Sequence, residues 1–166
     1  MSTSIAIINN QKVKYTGIFN LGDLYLHLHD WLVAQKFEVN EIKYNEKIKD
    51  AMRSFEIKWE AVREVDEYSK YKVSTIFIIE IEDVEAEDED GKKKKMQKGK
   101  AEIYVTATLI LDKEDTWEAT PYIKFVKTFY EKYLYKSTIE TMKEELYAHS
   151  TNYLNEIKAY LNLYRF

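Results

Sequence analysis

The three histidines are the first residues to consider, because neutral imidazole is the commonest metal ligand in proteins. His27 and His29 are two residues apart in a segment with helical periodicity, so their side chains point about 200° apart around the helix axis. Ligand pairs on a helix are spaced by three or four residues. His149 lies far away in the sequence. We therefore expect partly exposed histidines on helices, and we predict no metal site and no cofactor.

Residues 80–100 carry eight acids, then Gly91, then six lysines. If Gly91 held the invariant glycine position of a calcium-binding loop, two ligand positions would fall on Ala86 and Gln97, which have no carboxylate. The lysine run supplies the only nucleic-acid candidates. A net charge of −4 and only three arginines argue against nucleic acid as a partner. The candidates are Lys92, Lys93, Lys94 and Lys95.

Motifs for covalent or phosphate chemistry are missing from the sequence. It contains no G-x-S-x-G nucleophile elbow and no glycine-rich phosphate loop. It also contains no cysteine, which excludes a thiol nucleophile and a disulfide framework. With 29 acidic residues, spacing alone does not single out a catalytic carboxylate pair. We predict that the protein is not an enzyme.

The charged run contains a β-hairpin signal, since Asp90-Gly91 suits a two-residue type I′ turn. A turn there places Glu87 opposite Lys94 and Asp83 opposite Lys98, so acids face lysines across the ladder. The same register turns Ile76 and Ile78 toward the core, and turns Phe77, Ile79 and Ile81 to the other face beside Tyr104. A slip of one residue would exchange the two faces.

The surrounding pattern predicts the elements that carry these residues. Apolar spacing indicates a helix at 21–36 and strands near 38–48, 54–66, 71–83 and 98–112. Asn9-Asn10 suggests a small opening hairpin. Thr120-Pro121 suggests a helix start, and a break at 136–138 divides the C-terminal third into two helices.

The predicted fold class is therefore α+β. We expect an antiparallel meander of about four to six strands, with one N-terminal helix and two long C-terminal helices packed on one face. The 166 residues fit a single domain spanning 1–166, with a charged hairpin tip at about 84–98. The longest apolar run has four residues and no signal peptide is evident, so we expect a cytoplasmic protein without a membrane partner.

Aromatic residues dominate the C-terminal third, where we expect a core stripe along the helices made of Tyr122, Phe125, Val126, Phe129, Tyr133 and Leu134. Tyrosine is also enriched at protein interfaces. We predict a non-catalytic structural or protein-interaction domain that self-associates or belongs to a larger assembly. The predicted partner-contact residues are Phe77, Ile79, Tyr104, Tyr160 and Tyr164.

The element order resembles that of helix-grip domains, the lipid- and hormone-binding START and Bet v 1-like group, in which a long C-terminal helix lies in a curved antiparallel sheet. The resemblance lies in the order of the elements and carries over no residues. It implies an alternative function, binding of a small apolar ligand between the sheet and the C-terminal helices. Such a cavity would be lined by Trp59, Val105, Leu109, Phe125 and Phe129.

Overall fold

A computed structural model describes residues 3–87, 91–111 and 121–162 of the chain. The described residues form a five-stranded antiparallel sheet and three α-helices, which confirms the α+β prediction. The strand order across the sheet is β1-β5-β4-β3-β2. The elements are β1 (Thr3–Phe19), α1 (Leu21–Ala34), β2 (Glu38–Lys49), β3 (Met52–Glu64), β4 (Ser69–Glu87), β5 (Lys93–Leu111), α2 (Pro121–Phe129) and α3 (Lys136–Asn162), with a π-helical turn at Tyr130–Leu134 between α2 and α3.

The core lies on one face of the sheet, between the strands and the two helices α1 and α3. Alternation over residues 55–61 of β3, 71–81 of β4 and 101–111 of β5 places odd-numbered residues on this face, as expected for a half-buried strand. The even-numbered residues form the opposite, outer face. The central side chains of the core are Phe55, Ile57, Trp59, Tyr71, Val73, Phe77, Ile79, Ile103, Val105 and Leu109.

Helix α1 begins where the sequence predicts and presents a narrow apolar stripe to the sheet. The side chain of Asn20 caps it by accepting a 3.0 Å hydrogen bond from the backbone N–H of Asp23. Leu24, Leu28 and Leu32 recur every four residues and are fully buried. The helix therefore covers the core face near β2 and β3.

Helix α3 spans 27 residues and lies along the sheet, anchored by one buried polar contact. The hydroxyl of Tyr153 lies 2.9 Å from Thr75 Oγ1 in the middle of β4, and both residues are buried. The Trp31 ring of α1 stacks on Tyr153 with centroids 5.5 Å apart. One residue of α3 thus contacts both the sheet and the other core helix.

The predicted register of the long hairpin is wrong by one residue. Glu87 lies opposite Lys93 rather than Lys94, a pairing that does not fit a two-residue turn at Asp90-Gly91. Gly91 has a φ of +77°, which a glycine adopts without strain. Asp90 lies outside the described residues.

The one-residue shift exchanges the faces of β4. Phe77 and Ile79 point into the core and are 1% and 0% exposed, whereas Ile76 and Ile78 lie on the outer face beside Tyr104. The physical reason is the side-chain period of two, which moves the whole apolar set when the pairing slips by one. The set that contains the larger apolar side chains, with Phe77, is the one that is buried.

The expected opening hairpin is also wrong, because β1 is one long strand paired with β5. Asn9 and Asn10 interrupt its register, which shifts between Ile8 and Gln11. Asn10 has a φ of +52°, and its backbone N–H donates to Thr106 Oγ1 at 3.0 Å. The two asparagines therefore form a β-bulge instead of a turn.

Candidate functional site

The predicted partner-contact residues divide into buried and partly exposed positions. Phe77 and Ile79 belong to the core, so they do not form a surface of the folded chain. Tyr104 lies on the outer sheet face, where its hydroxyl donates to Glu102 at 3.0 Å. Tyr160 is partly buried, and its ring stacks on His27 with centroids 4.7 Å apart. Tyr164 lies outside the described residues.

The lysine run occupies the start of β5 and the loop before it. Lys93 and Lys95 lie opposite Glu87 and Glu85, so acidic residues face these two lysines across the ladder. Lys92 is exposed, and the side chain of Lys94 lies outside the described part of the structure. The described lysines therefore form a mixed-charge ladder rather than a continuous basic patch.

The five residues expected to line a cavity do not surround a common space. Trp59, Val105 and Leu109 are 0% exposed within the packed core, and Trp59 contacts the Phe77 ring at a centroid distance of 4.8 Å. Phe125 and Phe129 lie on α2 and are 69% and 49% exposed. The aromatic residues of α2 thus point away from the core, contrary to the expectation of a core stripe.

Helix α2 exposes its aromatic side chains and buries one lysine. Four aromatic side chains on the helix and the adjoining π-helical turn are exposed, and we call them the α2 stripe: Tyr122, Phe125, Phe129 and Tyr133. In α2, all of whose residues the structure describes, only Lys127 is buried. Its Nζ donates to Thr3 Oγ1 of β1 at 3.2 Å. An isolated surface helix normally buries its apolar side and exposes its lysines.

A hydrogen-bonded cluster fixes the end of the π-helical turn against the loop between β3 and β4. The Tyr135 hydroxyl donates to Asp66 Oδ2 at 2.6 Å and lies 3.0 Å from Ser69 Oγ. The backbone N–H groups of Tyr68 and Ser69 donate to Asp66 Oδ1 at 2.8 and 2.6 Å, and the Tyr68 hydroxyl donates to Glu131. These contacts hold the chain after α2 in one orientation.

The cluster shifts the pKa values of two of its side chains. Burial alone would raise the pKa of Asp66, but hydrogen bonds from Tyr135, Tyr68 and Ser69 outweigh it and hold that pKa below its usual value. Burial, together with the hydrogen bond to Asp66, raises the pKa of Tyr135 to about 12. At neutral pH the pair is therefore a carboxylate and a neutral phenol, and their hydrogen bond stabilises the fold.

A second apolar feature is a groove of about 460 Å³ on the core face, where the sheet extends beyond the start of α1. The backbone N–H of Leu21 donates to Gln97 Oε1 at 2.8 Å and joins the helix start to β5. Leu26 and Tyr44, at the rim, are 58% and 51% exposed. We call this the α1 groove, and it is lined by Leu21, Gly22, Tyr25, Leu26, Tyr44, Arg53, Phe55, Ile57, Ile81 and Gln97.

The charge at the α1 groove is locally balanced. Arg53, its one charged lining residue among those described, donates to Asp83 at 2.5 Å and lies 4.0 Å from Glu46. Burial alone would raise the pKa of Asp83, but the Gln97 hydrogen bond and the charges of Arg53 and Lys95 lower it. Because Arg53 is neutralised, the groove suits a neutral apolar group better than an anion.

The histidines take part in separate contacts. His27 Nε2 lies 2.7 Å from Glu156, and His149 Nε2 lies 3.5 Å from Glu145 and 3.3 Å from Arg63. No group of three or more potential metal-ligating side chains occurs in residues 3–87, 91–111 and 121–162. Two of the histidines therefore connect elements of the fold by polar contacts.

Comparison with known proteins assigns no family. No protein-family model matches the chain, and no curated protein matches it. Within the described part of the chain, no helix has both the length and the apolar character needed to cross a membrane. The two apolar features, the α2 stripe and the α1 groove, are therefore the candidate sites.

The sequence pattern did not locate the α1 groove and assigned the α2 stripe to the core, both for the same reason. Periodicity identifies an apolar side of a helix or strand but does not say which neighbour covers it. Tyr44 and Phe55 form an edge-to-face contact at 6.2 Å that depends on the pairing of β2 with β3. The only available signal was length, because strands of 19 residues extend well past a 14-residue helix.

Proposed function

We propose that this chain is a non-catalytic protein-interaction domain that self-associates, with the α2 stripe as its main contact surface. The observation that carries the proposal is the exposure of the aromatic side chains of α2. Tyr122 and Phe125 are 75% and 69% exposed, while the buried residue of the helix is Lys127. A large exposed apolar patch on a soluble domain usually marks an interaction site.

The size of the stripe supports a specific contact. Its four side chains expose roughly 500 Å² if each aromatic side chain offers about 200 Å² in total. The largest patch on a typical monomer is about 300–600 Å², and one side of a standard interface buries about 800 Å². The stripe is therefore large enough to be the centre of a contact and needs surrounding residues to complete it. Phe and Tyr are typical central residues of such interfaces.

Replacement of the central rings tests this proposal. We expect Phe125→Ser with Phe129→Ser to lower the average mass measured by light scattering at high protein concentration, because the rings supply most of the buried area. The matched control is Tyr147→Ser, since Tyr147 is 57% exposed on α3 away from the stripe. If the double variant and the control both keep the wild-type mass, the stripe is not the contact surface.

The α1 groove supports a second candidate function, binding of a small apolar ligand. Its volume of about 460 Å³ lies within the usual range of about 300–1,000 Å³ for ligand sites. Among the rim residues, Leu26 is 58% exposed and can be replaced with little effect on the core. This ligand site differs in place from the predicted cavity, because α1 rather than the C-terminal helices forms its wall.

The ligand hypothesis can be tested with N-phenyl-1-naphthylamine, a neutral fluorescent apolar probe, in the Phe125→Ser/Phe129→Ser background. We expect Leu26→Asp to weaken binding of the probe by at least about tenfold, since a carboxylate would be desolvated at the groove. Val33→Asp is the matched control, because Val33 is 50% exposed on the same helix and does not line the groove. Equal loss in both variants would contradict a site at the groove.

A further inference from the structure

We propose that β2 pairs with β2 of a second copy of this chain in antiparallel orientation, joining two five-stranded sheets into one. This inference rests on the proposed self-association and assigns it a second surface, separate from the α2 stripe. Two interfaces of this kind would allow assemblies larger than a dimer.

Strand β2 forms an open edge of the sheet. The structure describes all 12 of its residues and none is buried. Ile42, Tyr44 and Ile48 are 54%, 51% and 70% exposed. No strand among the described residues lies on its outer side. A long exposed edge with apolar side chains offers unpaired backbone groups to another chain.

Charged residues often protect such edges, but several on β2 are held by their own sheet and helix. Lys43 Nζ lies 2.8 Å from Glu56 on β3, and Glu41 accepts a 2.9 Å hydrogen bond from Tyr25. A bulge between Glu41 and Lys43 bends the strand and leaves regular runs at 38–41 and 43–49. The opposite edge, β1, is interrupted by two register shifts. Of the two edges, β2 is therefore better suited to pairing.

The charge distribution selects the partner and the orientation. Glu38 lies at the start of β2, and Lys47 and Lys49 lie at its end. In antiparallel self-pairing about an axis between Lys43 and Tyr44, Glu38 of each copy faces Lys49 of the other and Asn40 faces Lys47. The same register sets Glu41 opposite Glu46, and within each copy this like-charge pair is offset by the Tyr25 hydrogen bond to Glu41 and by Arg53, which lies 4.0 Å from Glu46. Parallel pairing would instead bring like charges together. A second copy of the same strand therefore provides complementary charge at both ends.

Charge exchange tests this pairing, with the association constant measured by sedimentation equilibrium. We expect Lys47→Glu/Lys49→Glu and Glu38→Lys/Asn40→Lys each to weaken self-association by at least about tenfold, because each variant places like charges at both ends. An equimolar mixture of the two should recover an affinity within about threefold of wild type, since the exchanged charges match again. Lys100→Glu/Lys158→Glu, at two exposed sites away from β2, serves as the charge control.

The outcomes separate this inference from the proposed function. If the β2 charge variants keep the wild-type assembly mass, or the mixture stays as weak as its components, β2 pairing is wrong and the α2 stripe is unaffected. If the charge variants reduce the mass while Phe125→Ser/Phe129→Ser does not, the proposed role of the stripe is wrong and β2 pairing stands. A wild-type chain that remains monomeric overturns both.

Discussion

The contact between Tyr153 and Thr75 gives the sharpest test of how α3 packs on the sheet. Tyr153 is 1% exposed and Thr75 is 0% exposed, and their hydroxyl oxygens are 2.9 Å apart. Burial raises the pKa of Tyr153, so the phenol is neutral at neutral pH and the pair is a neutral hydrogen bond. Removal of one hydroxyl leaves the other buried without this partner.

The expected changes in the free energy of unfolding follow from the cost of leaving one buried hydroxyl without a partner. Tyr153→Phe and Thr75→Val should each lower the free energy of unfolding by about 1–3 kcal/mol, the cost of one unsatisfied buried group. The double variant removes both polar groups, so its free energy of unfolding should fall by much less than the sum of the two single-variant losses. The coupling energy between the sites should therefore be about 1–3 kcal/mol. With a urea m value of about 2 kcal/mol/M, each single variant would shift the midpoint by about 0.5–1.5 M.

Urea unfolding followed by circular dichroism measures these values. Low protein concentration keeps self-association from adding to the apparent stability. Tyr147→Phe removes a hydroxyl from a residue that is 57% exposed, and it should change the free energy of unfolding by less than about 0.5 kcal/mol. Strictly additive single effects, or single variants as stable as wild type, would refute the packing of α3 on β4 through this pair.

Two further predictions concern the strands and the cluster around Asp66. Gly99→Ala should destabilise the protein by about 3 kcal/mol or more, measured by thermal unfolding, because a Cβ there would lie 1.9 Å from the Glu80 carbonyl oxygen; unfolding like that of wild type would refute this close approach. Asp66 has a lowered pKa in the folded state, so its contribution to stability is present above the ordinary aspartate pKa of about 3.9 and is lost as the pH falls through the lowered value. Asp66→Asn should therefore lower stability at neutral pH by about 1 kcal/mol and flatten the acid side of the stability profile, and an unchanged profile would contradict the assignment.

The strands were predictable because the alternation of apolar and polar residues is visible within a few positions of the sequence. The odd-numbered residues of β3, from Phe55 to Ala61, are buried, as the sequence pattern indicates. The start of α1 was predictable for a similar reason, since Asn20 provides a recognised cap. These elements depend on contacts within a few residues and on one buried face.

The register of the long hairpin was not predictable from charge. Acids fill one strand end and lysines the other, so a slip of one residue still places Glu85 opposite Lys95 and Glu80 opposite Lys100. Such pairs at exposed positions contribute only about 0–1 kcal/mol each. Burial of Phe77 and Ile79 contributes about 1.5–3 kcal/mol for each side chain, and it therefore decides the register.

The candidate surfaces could not be predicted from the sequence, because their exposure depends on contacts between residues far apart in the chain. The aromatic spacing from Tyr122 to Tyr133 is the same for a buried and an exposed helix side. The side that faces outward depends on distant contacts, such as those of Lys127 with Thr3 and of Tyr135 with Asp66. Sequence periodicity thus identified the stripe as an apolar surface but assigned it to the wrong environment.

Sedimentation equilibrium of the wild-type chain, from micromolar to near-millimolar concentration, measures self-association of this domain. We expect an average mass that rises with concentration above the monomer value of 19.8 kDa and exceeds the dimer value at the upper end. A mass that stays at 19.8 kDa over the whole range would show that the domain does not self-associate.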